Sequence, residues 1–442
     1  MTNATPGAAC DGVATVVEIE RTFDRLWPIM RSLSGQGVRT TLDVLGEIAS
    51  PMDRIEVPSG SHVFDWVVPS EWQFNEAYII DPNGLRILDA SENTLHLVNY
   101  SVPFRGRMTL DELQPHLFSI PERPAAVPYV TSYYTPRWGF CLSQEMRDSL
   151  PSGEYEVVVD CMHKDGGLTL GEVVLPGKET AEVLFSTYVC HPSLAHNELS
   201  GPLVAAYLCR ALAALPDRRL TYRFLFSVET IGAISYLACR GDHLRSHLAA
   251  GYVVTCVGTE APYTYKRSRR GDSLADRAAL QVLRHRAPGY HEVIGFDPAD
   301  ASDERQYCSP GFDLPVGSLM RMRYNTYPEY HTSDDNKSFV SFDAMRETIG
   351  TYLDVCHALE ANVRYENTIK FCEPQLGPRG LYGSLGGVYG PDRLQSALLW
   401  LLNLADGTRD LLAIAERSGL EVGLLAEAAR LGAGGGVLAR VG

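Results

Sequence analysis

Apolar and polar positions follow two different periods along this chain, and the changes of period divide it into blocks. Residues 17–30 (VEIERTFDRLWPIM) carry apolar side chains at helical spacing, and SLSGQG at 32–37 breaks the pattern. A second helix is expected over residues 40–47. From Pro51 the pattern turns to short strand-like runs at 55–58, 63–68, 77–80, 86–88 and 95–98, separated by Pro, Gly and Asn. They predict a small β-rich module reaching to about residue 128, with the Pro-rich run 120–129 (IPERPAAVPY) as its exit.

Longer elements follow. Residues 155–160 (YEVVVD) alternate as a strand, and 166–174 resemble its hairpin partner. Residues 181–185 (AEVLF), 220–228 (LTYRFLFSV) and 251–257 (GYVVTCV) read as core strands. Helical patterns at 202–215, from 233 onward, at 273–286 and at 341–360 fall between or after them. Strands alternating with helices predict a largely parallel sheet with helices on its faces. Past Phe371 a Gly-rich connector (Gly377, Gly380, Gly383, Gly386, Gly387) leads to helical patterns at 394–404, 408–418 and 421–430. Gly419-Leu420 joins the last two as in a helix-turn-helix. The expected blocks are a helical start over 1–50, a β-rich module over 51–128, an α/β region over 129–366 and a C-terminal segment over 367–442.

The polar loops between these elements hold the candidate chemistry. In residues 186–201 (STYVCHPSLAHNELSG), His191, His196, Asn197 and Glu198 lie on a strand-to-helix connection, where open α/β sheets form their sites. Two imidazoles, an amide and a carboxylate in eight residues suit zinc. Ser200 is the expected N-cap of the following helix, with Pro202 in its first turn. A packed histidine and a carboxylate facing a helix end remain the alternative. Glu229 follows a core strand directly, a place from which a carboxylate reaches a cleft as general base or caps the next helix. His331 lies in YPEYHTSDDN (327–336), turn-forming sequence beside Tyr330, and is either an exposed turn residue or a second metal ligand. Lys266 and Arg269, in YTYKRSRR (263–270), are expected either to receive a substrate carboxylate or to sit on a solvated loop.

Composition narrows the partners. The 442 residues are too many for one ordinary core, and 45% apolar with 21% charged is a globular balance. A formal charge of −15 argues against broad nucleic-acid binding. The helix at 421–430 (EVGLLAEAAR), with two Glu and one Arg, is poor at phosphate contact, so packing on the core or on a second copy in a homo-oligomer is expected of it. Ten cysteines without a C-x-x-C pair read as reduced and mostly buried. No apolar run reaches the ~18 residues of a membrane span. MTNATPGAACDG lacks a signal-peptide pattern, so a cytoplasmic protein is expected.

The ordered motifs HPSLAHNELSG, ETIGAISYL, YTYKRSRRGD, SDERQYCSPGFDLPVGSL and YPEYHTSDDN resemble the bacterial aminopeptidase-like domain proteins that end in a winged helix. That family is related to the co-catalytic zinc aminopeptidases. The resemblance covers nearly the whole chain. It implies a phosphorylase/hydrolase-like zinc-peptidase α/β core with a mixed sheet flanked by helices, a small β-rich insertion and a C-terminal winged helix. It also implies His191 and His331 as metal ligands and Glu229 as catalytic base. This sequence departs from the two-zinc pattern: Asn197 falls where the bridging Asp is expected, and Thr230 follows Glu229 where a second Glu is expected. The expectation is therefore a single Zn2+ on His191, His331 and a carboxylate, Glu198 first and Asp303 in reserve, with Tyr330, Lys266 or Arg269 steadying the oxyanion or a substrate carboxylate. The implied reaction is hydrolysis of an amide in a small peptide or N-acyl amino compound. The alternatives are a biosynthetic tailoring enzyme on a peptidase scaffold and a non-catalytic DNA-binding sensor.

Overall fold

The computed structural model describes residues 14–381 and 393–441. The expectations for the N-terminal twelve residues and for Gly383, Gly386 and Gly387 lie outside the described residues. Two compact units emerge: Met1–Gly271 with Glu292–Gly350, and Asp272–His291 with Thr351–Gly442.

The first unit holds an eight-stranded mixed sheet. Its order is Asp53–Pro58, Gly167–Leu175, Thr221–Ser227, Glu182–Tyr188, Leu248–Val253, Val316–Met320, Tyr263–Lys266, His291–Ile294. The middle is parallel: Glu182–Tyr188 pairs in parallel with both Thr221–Ser227 and Leu248–Val253, and the latter with Val316–Met320. These strands are buried almost without a break, as a sheet covered on both faces requires. Helix Ser200–Ala213 carries an almost continuous buried face, with Leu203, Val204 and Leu208 fully inaccessible. Gly201 lets it approach the sheet, since a Cβ there would meet the Val254 carbonyl oxygen at 2.3 Å.

The β-rich region forms a separate four-stranded sheet in the order Arg86–Ile87, Glu71–Ile80, Glu154–Lys164, Phe104–Thr109. Its core is built on Trp72, Ile79, Phe140 and Tyr155. Two strands cross the expected boundary. Asp53–Pro58 pairs with Gly167–Leu175 in the large sheet, and Glu154–Lys164 crosses the other way, into the small one. Hence 155–160 and 166–174 are consecutive strands but not hairpin partners: each finds its neighbours in a different sheet, and the chain changes sheet at Gly166, where a Cβ would run into the Glu71 side chain. Residues 95–98, expected as a strand, lie instead at a 3-10 turn, Thr94–His96, capped by the Asn93 side chain.

The second unit contains helices Arg393–Leu404, Leu411–Ser418 and Val422–Gly434 and a three-stranded sheet ordered Asp406–Asp410, Arg364–Asn367, Leu438–Val441. Asp410 caps the middle helix by accepting the Ala413 N–H, and Gly419 ends it in the left-handed conformation. Arg277, on helix Leu274–Arg286, pairs with Asp410 and Glu416. Among the described residues no helix is long and apolar enough to cross a membrane.

Candidate active site

The strand Glu182–Tyr188 delivers its C-terminal end to a loop bearing Cys190, His191 and Ser193, and a π-helical turn, Ala195–Leu199, then opens helix Ser200–Ala213. The expected cap is not used. Ser200 lies inside the helix, donating to the His196 carbonyl (2.6 Å) and accepting the Val257 N–H (3.0 Å). Asp335 supplies the cap from a distant loop. Its carboxylate accepts the N–H groups of His196 (2.6 Å) and Asn197 (2.9 Å), and its carbonyl accepts that of Ala195. The loop that carries His331 therefore grips the loop that carries His191.

That grip brings the two imidazoles together, with ring centroids 5.4 Å apart. Tyr129 lies against both, at 4.9 Å from His191 and 5.2 Å from His331, and Tyr330 stacks on His331 at 3.9 Å. His331 itself has a positive φ of 54°, an uncommon conformation for a bulky residue and one often found at functional sites. Burial, reinforced by the nearby His191, lowers its pKa to about 3. A neutral ring can donate from Nε2 to the Asn197 Oδ1 at 3.2 Å.

The two edges of the His191 ring face different groups. Nδ1 lies 2.8 Å from Glu198 Oε2 and 3.2 Å from Cys190 Sγ, whereas Nε2 lies 3.6 Å from Glu229 Oε2. Glu198 is fully buried, and its Oε1 accepts the His191 N–H at 2.9 Å. Its Oε2, though close to Nδ1, makes no hydrogen bond of regular angle. Burial opposes a charged His191, but Cys190 and Glu198 outweigh it and raise its pKa. Arg31, wholly buried, donates to the His191 carbonyl (3.0 Å). Burial lowers its pKa to about 10 while Glu198 supplies the main opposing charge. Burial also pushes the Cys190 thiol up to about 11.

Glu229 follows strand Thr221–Ser227, and its side chain is 30% exposed. Desolvation raises its pKa, His191 and a 2.8 Å hydrogen bond from Ser302 pull it back, and Glu198 and Glu304 push it up again. Thr230, next in sequence, has φ +62°, and Asp303 Oδ1 accepts its N–H at 2.7 Å. Asp303 is completely buried, its Oδ2 has no hydrogen-bond partner among the described residues, and burial with Glu229 nearby raises its pKa well above the usual range.

Three expected site residues are placed differently. His196 is a structural core residue: Nε2 lies 3.1 Å from the Met322 carbonyl and Nδ1 accepts the Gly258 N–H at 3.1 Å, which leaves neither nitrogen for substrate. Lys266 is fully buried, 3.0 Å from Glu304 and 3.1 Å from the Tyr324 hydroxyl, so its charge is committed inside the protein. Arg269 pairs with Asp313 at 2.9 Å on the surface. Arg31 and Cys190 were not legible as site residues. Cys190 has the hint of standing beside His191; Arg31 has none.

The family model described as a domain of unknown function (DUF4910) matches residues 21–362, and one described as a winged helix-turn-helix matches 363–440. A Clostridium acetobutylicum protein, named for polysaccharide biosynthesis and an aminopeptidase-like domain, is 43% identical over 404 residues, 91% of this chain and 92% of its own. A solved structure from Clostridium acetobutylicum, named as a peptidase, superposes with a TM-score of 0.90 at 41% identity, covering 96% of each chain. The zinc aminopeptidase BSAP from Bacillus subtilis superposes with a TM-score of 0.55 at 10% identity, over 78% of this chain and 95% of its own, a likeness of fold.

Proposed function

Because the chain belongs to the family described as a domain of unknown function (DUF4910), followed by a winged helix-turn-helix, on a fold shared with zinc aminopeptidases, we propose that its core is a zinc-dependent hydrolase of an amide bond. The observation that carries this reading is the convergence of His191 and His331, 5.4 Å between ring centroids, with the Glu229 carboxylate 3.6 Å from His191 Nε2.

The donor chemistry suits one zinc: imidazole and carboxylate are zinc ligands, and Asp303 Oδ2 is a buried oxygen without a hydrogen-bond partner among the described residues. Cys190, His191 and Glu198 also have donor atoms within 4.8 Å of one another. They gather on the Nδ1 edge, where Cys190 Sγ accepts the Glu229 N–H at 3.3 Å, whereas the Glu229 carboxylate faces Nε2 at 3.6 Å. On this reading the Nε2 edge would hold the metal, with His331 and Asp303 drawn in as the further ligands, since among the described residues only Cys190, His191 and Glu198 already have donor atoms within 4.8 Å of one another. Glu198 then takes the orienting role that a carboxylate usually has toward a metal-binding histidine, holding the proton on Nδ1. A metal held by His331 Nε2 would replace the hydrogen bond that this nitrogen makes with Asn197 Oδ1. Asn197, a neutral amide, is a poor bridge between two dications, which supports one zinc per chain.

When bound, zinc supplies Lewis-acid polarisation of the scissile carbonyl and of the attacking water. Glu229 receives the proton of that water at its carboxylate and delivers it to the leaving nitrogen, a role favoured by its raised pKa. Burial keeps the Tyr330 hydroxyl protonated, able to donate to the developing oxyanion. Turnover of free dipeptides and of N-acylated small molecules by wild type, His191→Ala and Glu229→Gln tests this reading. Cleavage of neither class by zinc-loaded wild type would reject it.

A second reading, tailoring of an amide carried by a sugar, is favoured by the polysaccharide-biosynthesis name of the relative 43% identical to this chain. Acylated amino sugars turned over faster than dipeptides would select it.

A further inference from the structure

A cleft of about 280 Å³ opens where the β-rich insertion meets the two histidine loops, and Trp27, Glu92, Asn93, Thr94, Ser193 and Ser333 line it. Ser193 stands two residues after His191 and Ser333 two after His331, so both loops line the cleft, the Ser333 hydroxyl accepting the Val127 N–H at 3.0 Å. Ser193 has a positive φ of 46°, and its hydroxyl bonds to that of Thr94. Strain of this kind collects at ligand clamps. Asn93 spends its Oδ1 on the Leu95 N–H, while its amide nitrogen has no protein hydrogen bond among the described residues. No lining residue is basic, which disfavours phosphate or carboxylate guests. Hydroxyls, an amide and one carboxylate make a polar recognition surface with one negative and no positive charge.

The structure assigns this cleft to a neutral sugar ring, the carbohydrate portion of the substrate, which the β-rich insertion selects beside the hydrolytic centre. The assignment rests on the amide-hydrolase reading, in its sugar-linked form, for its meaning but not for its test. The hydroxyls of a pyranose match the serine, threonine and asparagine groups, and Trp27, stacked on Phe23 at 5.4 Å, forms one wall. The insertion thereby gains a role in specificity.

Saturation-transfer NMR on the full chain, with and without added zinc, tests the assignment using N-acetylglucosamine and glycylglycine as probes. The sugar is expected to receive saturation in both metal states, and Glu92→Ala to lower transfer to the sugar while leaving any transfer to the dipeptide unchanged. Glu92→Ala, a surface change, is expected to weaken sugar binding about fivefold, the loss of one hydrogen bond. Trp27→Ala is expected to weaken it further, and Glu92→Ala keeps the test decisive should that variant not fold. No transfer to the sugar in wild type, or equal transfer in wild type and Glu92→Ala, would overturn the assignment. Sugar binding without hydrolysis of any amide would leave the cleft in place and count against the hydrolase reading alone.

Discussion

Replacing Glu198 by Gln tests the division of labour around His191 with almost no change of volume. The side chain is wholly buried, and a glutamine oxygen can still accept the His191 N–H that Oε1 accepts at 2.9 Å. What changes lies 2.8 Å from Nδ1, where an anionic oxygen becomes an amide NH2 that donates. Nδ1 must then accept, the ring proton moves to Nε2, and the edge facing Glu229 is blocked to a metal. Loss of such an orienting carboxylate weakens metal binding 10- to 100-fold, about 1.4 to 2.8 kcal/mol. A second cost is separable. Arg31 loses its main counter-charge while remaining buried, which destabilises the fold even without metal. Zinc affinity measured by chelator competition, together with urea unfolding of the zinc-free protein, reads the two costs independently. The double variant Arg31→Met/Glu198→Gln should recover much of the stability and none of the affinity. Wild-type zinc affinity in Glu198→Gln would refute the orienting role. Complete loss of zinc would show Glu198 to be a ligand.

Glu229→Gln should keep its zinc and lose turnover by about 10² to 10⁴, measured as kcat on any cleaved amide, and near-normal kcat would remove it as the base. His196 is buried neutral with its pKa lowered to about 4, below the 6.5 of the unfolded chain. Its contribution to stability is therefore complete above pH 6.5 and lost as the pH falls through 4. By pH 4.5 the wild type should lose about 2 to 3 kcal/mol on this account, and His196→Gln should unfold in urea with a visibly flatter pH dependence. Gly201→Ala should cost about 1 to 3 kcal/mol, seen as a lowered Tm, because the new Cβ would lie 2.3 Å from the Val254 carbonyl and 2.7 Å from Thr187 Oγ1. An unchanged Tm would mean that the close helix–sheet approach is not there.

The sequence pattern made the parallel middle of the large sheet legible because Glu182–Tyr188, Thr221–Ser227 and Leu248–Val253 are buried on both faces and read as continuous apolar runs. The motifs also pointed to His191, Glu229 and His331, each on a loop that leaves the core. Pairing partners were less legible. Residues 155–160 and 166–174 have the alternation of a hairpin, yet alternation records which face is buried and not which strand lies alongside. The cap on helix Ser200–Ala213 was read as Ser200, the nearest suitable side chain, whereas the groups used come from Asp335, 138 residues beyond Asn197. Lys266 looked available because its neighbours are cationic and tyrosine-rich. Only the folded chain places it against Glu304.

Metal analysis of protein purified without chelator or a metal-affinity tag, wild type beside His191→Ala, bears most directly on the hydrolase account. One zinc per wild-type chain, absent from the variant together with amide cleavage, is the predicted result. A wild type that neither carries nor takes up zinc, or a variant that retains it in full, would contradict the account.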